Sequence, residues 1–203
     1  MVIVVNYGIG NIGSILNMLK KIGVEALGSS AETEIRAAEK LILPGVGAYD
    51  SAMAKIESLG LIPILRDRVL NARVPLLGIC LGMQLLTNGS EEGSRGGLGW
   101  VDAQVVRFDK ERASGDIRIP HMGWNKVKPV QDHILFHNLG EEARFYFVHS
   151  YHVVCSKERV LSTTTYGYEF VSSIVQDNIL GVQFHPEKSH KFGFEILKNF
   201  VEW

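Results

Sequence analysis

The sequence predicts an α/β fold, with a central, mostly parallel sheet flanked by helices and antiparallel strands added in the second half. Three observations carry this. As far as Cys80, fully apolar runs of strand length alternate with segments of helical period. Strands that are apolar on both faces are buried on both faces, and strands separated by helices pair in parallel. After Gly99 the helical spacing gives way to short strand-like runs with short connections, the pattern of antiparallel pairing. A chain of 203 residues with 46% hydrophobic content is long enough for one domain, 1–203, with a substantial core.

In order, Val2 to Asn6 reads as the first strand. Ile12, Ile15, Leu16, Leu19 and Ile22 mark a helix by their spacing. Val24 to Leu27 is a short strand and Glu32 to Ala38 a short helix. Lys40 to Leu43 is a strand ending in Pro44-Gly45-Val46-Gly47. Helices follow at Tyr49 to Ser58 and Leu61 to Ala72, then the strand Leu76 to Ile79 and a helix from Leu81 to Asn88. Ser90 to Gly97 (SEEGSRGG) has the composition of a mobile loop. The later strands are Val101 to Phe108, Asn125 to Lys128, Phe145 to Val148, Tyr151 to Cys155, Val160 to Tyr166, Val171 to Gln176 and Ile179 to Phe184. Gln176-Asp177-Asn178 reads as a hairpin turn, and Phe192 to Val201 as a closing helix. Sites in parallel sheets form outside the carboxyl ends of the strands, so Asn6-Tyr7-Gly8, Pro44 to Gly47 and Cys80 are expected to converge.

Net charge is −1, which argues against a surface built for nucleic acid. Two cysteines, Cys80 and Cys155, do not make a disulfide framework and fit a reducing, cytoplasmic setting. The apolar start Met1 to Val5 lacks a basic flank and is too short for a signal or a membrane span. No phosphate loop, metal cluster or ATP motif is present, so no cofactor and no metal are expected.

Cys80 lies in Gly78-Ile79-Cys80-Leu81-Gly82, a G-x-C-x-G at a strand-to-helix corner. This is the thiol form of the nucleophile elbow: a tight turn holds the side chain out, and small neighbours let backbone pass close by. The amide end of the following helix favours thiolate. A buried structural cysteine is the bland alternative, and Cys155 reads as packing. A base is supplied by His185-Pro186-Glu187. In an extended segment, residues two apart share a face, so Glu187 accepts from one ring nitrogen of His185 and leaves the other for Cys80. Together they predict a Cys80–His185–Glu187 triad. The oxyanion of such chemistry needs two donors, of which the elbow places the Leu81 N–H. Gln84, one turn on, reaches back toward substrate.

Gly8-Ile9-Gly10-Asn11-Ile12-Gly13 matches the G-x-G-x-x-G dinucleotide fingerprint. The expected acid should end the second strand, but Glu25 lies inside that strand and Glu32 beyond it. The fingerprint also leaves Cys80 and His185 unexplained, so dinucleotide binding is set aside in favour of a surface loop that contacts a partner or lines the exit of a small product.

These motifs carry a family likeness. Gly78 to Gln84 (G-x-C-x-G-x-Q) with a later His-Pro-Glu resembles the triad-type class I glutamine amidotransferases, whose domain is flavodoxin-like. Tyr7-Gly8-Ile9-Gly10-Asn11, Pro44 to Gly47, Pro120-His121-Met122-Gly123-Trp124-Asn125, Phe147-Val148-His149-Ser150-Tyr151 and His185 to Ser189 occur in order and narrow the likeness to the glutaminase subunits of imidazole glycerol phosphate synthases. The resemblance covers nearly the whole chain. It implies hydrolysis of glutamine to glutamate and ammonia. It also implies a second oxyanion donor from Gly45, Val46 and Gly47, and backbone groups of Ser150 and Tyr151 at the glutamine head. It further implies a heterodimer with a (β/α)8-barrel cyclase subunit that receives ammonia through a channel, makes imidazole glycerol phosphate and AICAR for histidine biosynthesis, and whose ligand switches on hydrolysis. Asn11, Trp124, Tyr146 and Lys188 are the expected partner-facing residues, although the two aromatics could equally be core and Lys188 a solvated charge. A glutaminase serving another synthase and a stand-alone cysteine hydrolase are the rival readings.

Overall fold

The computed structural model describes residues 1–203. The first half forms β1 (Val2–Val5), α1 (Ile12–Ile22), β2 (Ala26–Ser29), α2 (Glu32–Arg36), β3 (Lys40–Gly45), α3 (Tyr49–Ser58), α4 (Leu61–Arg66), β4 (Leu76–Cys80) and α5 (Leu81–Leu85). The second half forms β5 (Ala103–Arg107), β6 (His121–Lys126), β7 (Lys128–Pro129), β8 (Arg144–His149), β9 (Tyr151–Cys155), β10 (Val160–Tyr166), β11 (Tyr168–Gln176), β12 (Ile179–Val182) and α6 (His190–Glu202). The sheet runs β2-β1-β3-β4-β12-β11-β10-β7, with β5 and β9 branching from β11 and β6–β8 forming a separate pair. Pairings from β2 to β12 are parallel and those from β12 onward antiparallel. The predicted α/β architecture is thus the observed one.

The strand period of two divides the core between the faces. Ile3, Val5, Leu41, Leu43 and Leu76 pack with α3 and α4 on one side. Val2, Val4, Ile42, Leu77 and Ile79 pack on the other with Ile15 and Leu19 of α1 and Ile196, Leu197 and Phe200 of α6. Both faces are covered, which is why these strands carry no polar alternation. The turn at Asp177-Asn178 joins β11 to β12 with Gln176 paired to Ile179, as the sequence suggested.

Several boundaries differ from expectation. The helix after Cys80 ends at Leu85, not Asn88, because the Thr87 hydroxyl takes the Gln84 carbonyl at 2.8 Å and closes the last turn. Five residues carry little of a macrodipole, which weakens that part of the case for a thiolate. The predicted helix 61–72 is α4 followed by a π-helical turn over Asp67–Asn71. The strand expected at 125–128 is β6, four residues earlier, followed by the short β7. β2 begins only at Ala26, so Glu25 precedes it. The Ser90–Gly97 loop is anchored: Asp50 accepts from the Ser94 and Arg95 amides at 3.0–3.1 Å, and Arg95 bonds Glu57 at 2.7 Å. No helix is long and apolar enough to cross a membrane.

Candidate active site

β4 delivers Cys80 from the middle of the sheet, between β3 and β12. Its backbone sits at φ 54°, ψ −112°, outside the regions open to L-residues without strain. Two close approaches hold it there. A Cβ on Gly82 would lie 1.9 Å from the Leu43 carbonyl oxygen, and one on Gly78 would lie 2.8 Å from the Met83 backbone. Only glycines let α5 turn back onto β3 and β4 this tightly. Leu81 opens α5, so its N–H has no acceptor within the helix.

His185 and Glu187 meet as expected, but not through an extended segment. Pro186–Lys188 is a 3-10 turn, and it brings Glu187 Oε1 to 2.8 Å from His185 Nδ1. Both side chains are buried. The His185 backbone is fixed from both ends: its N–H donates to Tyr146 O at 2.9 Å, and its carbonyl accepts from Ser189 Oγ at 2.6 Å. Nε2, the other ring nitrogen, is buried without a hydrogen-bond partner. Burial alone would lower the pKa of this ring, but the neighbouring Cys80 and Glu187 outweigh it and raise it to about 10. Cys80 and His185 line the same cavity, and Nε2 has no other hydrogen-bond partner there. The arrangement places a thiol, an imidazole and a carboxylate together, the groups that a nucleophile, an acid–base and an orienting partner would need.

A cavity of about 370 Å³ opens over this group. Val46, Gly47, Cys80, Leu81, Gln84, Ser150, Tyr151 and Lys188 all line it, so the expected substrate-contacting segments converge on one space. Gly45 lies just behind, packed so closely on the elbow that a Cβ there would stand 2.6 Å from the Gly82 nitrogen. The expected convergence of the first loop also holds: the buried Tyr7 hydroxyl donates to Pro44 O at 2.6 Å. Gly10 abuts the Pro44 ring, where a Cβ would lie 2.9 Å away. A second cavity, about 470 Å³, is lined by Val130, His152, Cys155 and Phe170 and contains none of the three.

Three of the expected partner-facing residues cluster. Trp124 is half exposed, stacks on His190 at 5.3 Å and meets Tyr146 edge-on at 6.3 Å. Lys188 Nζ lies 5.5 Å from the Tyr146 ring centre. Asn11 takes no part in these contacts; its Oδ1 accepts from Ser14 Oγ at 2.9 Å at the start of α1.

Sequence reasoning missed two groups. Glu92, on the anchored loop, reaches the cavity, where partial burial and the Asp50 charge push its carboxyl up. No local pattern marks it. Gln183 is fully buried beside the sulfur, its Nε2 3.7 Å from Cys80 Sγ. Its signal was present: an amide interrupting the apolar run that leads to His185.

Comparison with known proteins places the chain in a family. The family model described as glutamine amidotransferase class-I matches residues 3–203. Imidazole glycerol phosphate synthase subunit HisH 2 of Methanococcus maripaludis is 53% identical over 100% of this chain and 99% of its own. The protein of that name from Pseudomonas aeruginosa is 48% identical over the same shares. Among solved structures, a glutamine amidotransferase superposes with TM-score 0.73 at 22% identity, covering 100% of this chain and 98% of that one. A Thermotoga maritima glutamine amidotransferase gives 0.68 at 18% identity, covering 99% and 96%. At those identities the structures speak for the fold, while the sequence relatives place the family. The chain belongs to the class-I glutamine amidotransferases and, within them, to the HisH glutaminase subunits of imidazole glycerol phosphate synthase.

Proposed function

We propose that the chain hydrolyses L-glutamine to glutamate and ammonia through a thioester on Cys80. The observation that carries this is the buried His185, bonded through Nδ1 to Glu187 at 2.8 Å and bringing a partnerless Nε2 to the cavity that Cys80 also lines. Cys80 Sγ, as thiolate, adds to the side-chain amide carbon of glutamine, and the carbonyl electron pair moves onto oxygen. The Leu81 N–H and a peptide N–H of Gly45-Val46-Gly47 receive that oxyanion. The imidazolium of His185 gives its Nε2 proton to the amide nitrogen, the C–N bond breaks and ammonia leaves. Neutral His185 then takes a proton from water as the hydroxide adds to the thioester. The C–S bond breaks, glutamate departs, and thiolate and imidazolium are restored. Glu187 holds the ring in the tautomer this requires.

The substrate sits in the cavity over the elbow. Both hydrogens of Gln84 Nε2 are engaged, by Tyr151 O at 3.1 Å and Gln183 Oε1 at 3.0 Å, so Gln84 offers substrate an acceptor, Oε1. Glu92 suits the α-ammonium, and Ser150 and Tyr151 the head of the molecule through their backbones.

Ammonia is mostly protonated, and so not nucleophilic, at neutral pH, which favours handing it on directly. The HisH relatives are named as subunits of a synthase. We infer a heterodimer with the (β/α)8-barrel cyclase subunit, which consumes the ammonia to make imidazole glycerol phosphate and AICAR. The Trp124–Tyr146–Lys188 cluster suits the docking face, and Tyr146 O bonds the His185 amide, so that face touches the triad. The test is glutamate release by the purified chain alone, then with the cyclase and its ribulosyl phosphate ligand. Low activity alone and a large rise with the liganded cyclase is expected. High activity indifferent to the cyclase would mean an independent hydrolase, and none under either condition a different synthase.

A further inference from the structure

Beside Cys80 lies a run of side-chain amides and imidazoles in which the direction of every hydrogen bond can be assigned, two arms meeting at the Tyr151 carbonyl. Asn125 Nδ2 donates to Thr165 O at 2.9 Å and faces His121 Nε2 at 3.3 Å. His121 Nδ1 stands 3.0 Å from His149 Nε2, and His149 Nδ1 stands 2.8 Å from Tyr151 O. A carbonyl only accepts, so His149 carries its proton on Nδ1. Its Nε2 then accepts from His121 Nδ1–H, and His121 Nε2 accepts from Asn125. Every donor and acceptor is matched with both rings neutral. Burial holds both rings in that form, with the His121 pKa lowered to about 4 and that of His149 well below its usual value.

From the other side, Tyr151 O accepts from Gln84 Nε2. The second hydrogen of that nitrogen goes to Gln183 Oε1. With its oxygen held by Gln84, the Gln183 amide has only its nitrogen to present to Cys80, and Nε2 lies 3.7 Å from Sγ. A flipped Gln183 would set NH₂ against NH₂ and oxygen lone pairs against the sulfur. The backbone helps to fix the residue, since the Gln183 N–H donates to Ser172 O at 2.9 Å.

We propose that Gln183 is a further catalytic residue: it donates a hydrogen bond to the Cys80 sulfur, stabilising the thiolate before attack and again as it leaves the thioester, in an orientation enforced by Gln84 and the Tyr151 carbonyl. A donor on a sulfur anion supports its negative charge in a buried site where water cannot. His185 supports the same charge electrostatically; Gln183 does so without being able to take the proton. Gln183 does not line the substrate cavity, whereas Gln84 does. The two amides therefore divide the work, Gln84 facing substrate and Gln183 facing the nucleophile.

This rests on Cys80 as the nucleophile, so the test reads the sulfur directly, without substrate. In a Cys155→Ser background, the second-order rate of Cys80 alkylation by iodoacetamide is measured at neutral pH for the parent, Q183M, Q183E and Q84M. Glutamine kinetics are measured beside it in the complex with the cyclase. Q183M removes the donor, and alkylation is expected to slow about tenfold, the low end for a hydrogen bond to a charged group. The kcat for glutamine should fall similarly with KM nearly unchanged. Q183E keeps an oxygen for Gln84 to donate to but offers the sulfur no N–H. The carboxylate also repels a thiolate, so slowing in Q183E is expected on charge alone. The discrimination rests on Q183M, which adds no charge: a purely structural role predicts parental alkylation in folded Q183M, and the proposal predicts slowing. If Q183M does not fold, Q84M serves in its place: Gln183 is intact there but no longer oriented, and alkylation should again slow. A parental alkylation rate in folded Q183M, or a loss confined to KM, would overturn the proposal while leaving the Cys80 mechanism standing. A parent whose Cys80 does not react at all would overturn the nucleophile assignment itself.

Discussion

The backbone at Cys80 makes a stability prediction that a tally of side-chain contacts would miss. Replacing the cysteine by Ala or by Gly removes the same sulfur and the same Gln183 contact. The two variants differ only in a Cβ held at φ 54°, ψ −112°. At an unstrained buried position Gly is the worse residue, by about 0.4–1 kcal/mol from unfolded-state freedom and about 0.8 kcal/mol from the lost methyl burial. At Cys80 a side chain in this region of φ/ψ space costs about 1–3 kcal/mol, which glycine does not incur. The strain offsets the usual deficit, so C80G should be as stable as C80A or more so. Urea unfolding of both variants, with midpoint and slope compared, measures this. A C80G protein about 1.5 kcal/mol less stable than C80A would show that the elbow stores no strain.

Further outcomes are expected. H185N should lower glutaminase kcat/KM by at least the 10²–10⁴-fold typical of a lost acid–base group, and E187Q, which keeps the ring in place without its charge, should lower it less; steady-state kinetics in the complex decide the order. The pKa of His185 is raised, so its proton is held through neutrality and lost as pH rises through about 10, placing the alkaline limb of kcat/KM there. His121 is lowered to about 4, so between about pH 6.5 and 4 the unfolded chain binds the proton the folded one refuses; stability should fall with falling pH by about 1.4 kcal/mol per unit for such a histidine, and a flat urea midpoint between pH 6.5 and 5 would contradict this. Finally, Y7F leaves the buried Pro44 carbonyl without its donor and should cost about 1–3 kcal/mol in the same unfolding assay.

The fold was legible because its strands are apolar on both faces, and few architectures other than a covered parallel sheet bury a strand that way. Where a boundary was missed, a local competitor had won. Leu85 and Leu86 are apolar and buried, so the pattern continues past Leu85, but the Thr87 hydroxyl has already closed α5. The first half of the strand at His121–Lys126 was missed because its residues, with Pro120 before them and Gly123 among them, lack an apolar strand pattern. Cys80 and the His185–Glu187 pair were legible because a G-x-C-x-G corner and a His-Pro-Glu tripeptide are distinctive sequence patterns. The pair meets by a different route from the expected one, because the 3-10 turn rather than a strand sets their distance. Glu92 was invisible, since only Asp50, more than forty residues earlier, shows that its loop is held against the cavity. Gln183 carries no charge and titrates nothing, so its part emerges only from the direction of hydrogen bonds through Gln84 and Tyr151.

The central claim is a covalent bond between Cys80 and the glutamyl group. Isotope-labelled glutamine is mixed with the chain and the liganded cyclase, quenched in acid during turnover and digested for mass spectrometry. The label is expected on the peptide carrying Cys80, acid-stable as a thioester, and absent from C80A along with turnover. Turnover without label on that peptide, or glutamate release surviving in C80A, would contradict the mechanism.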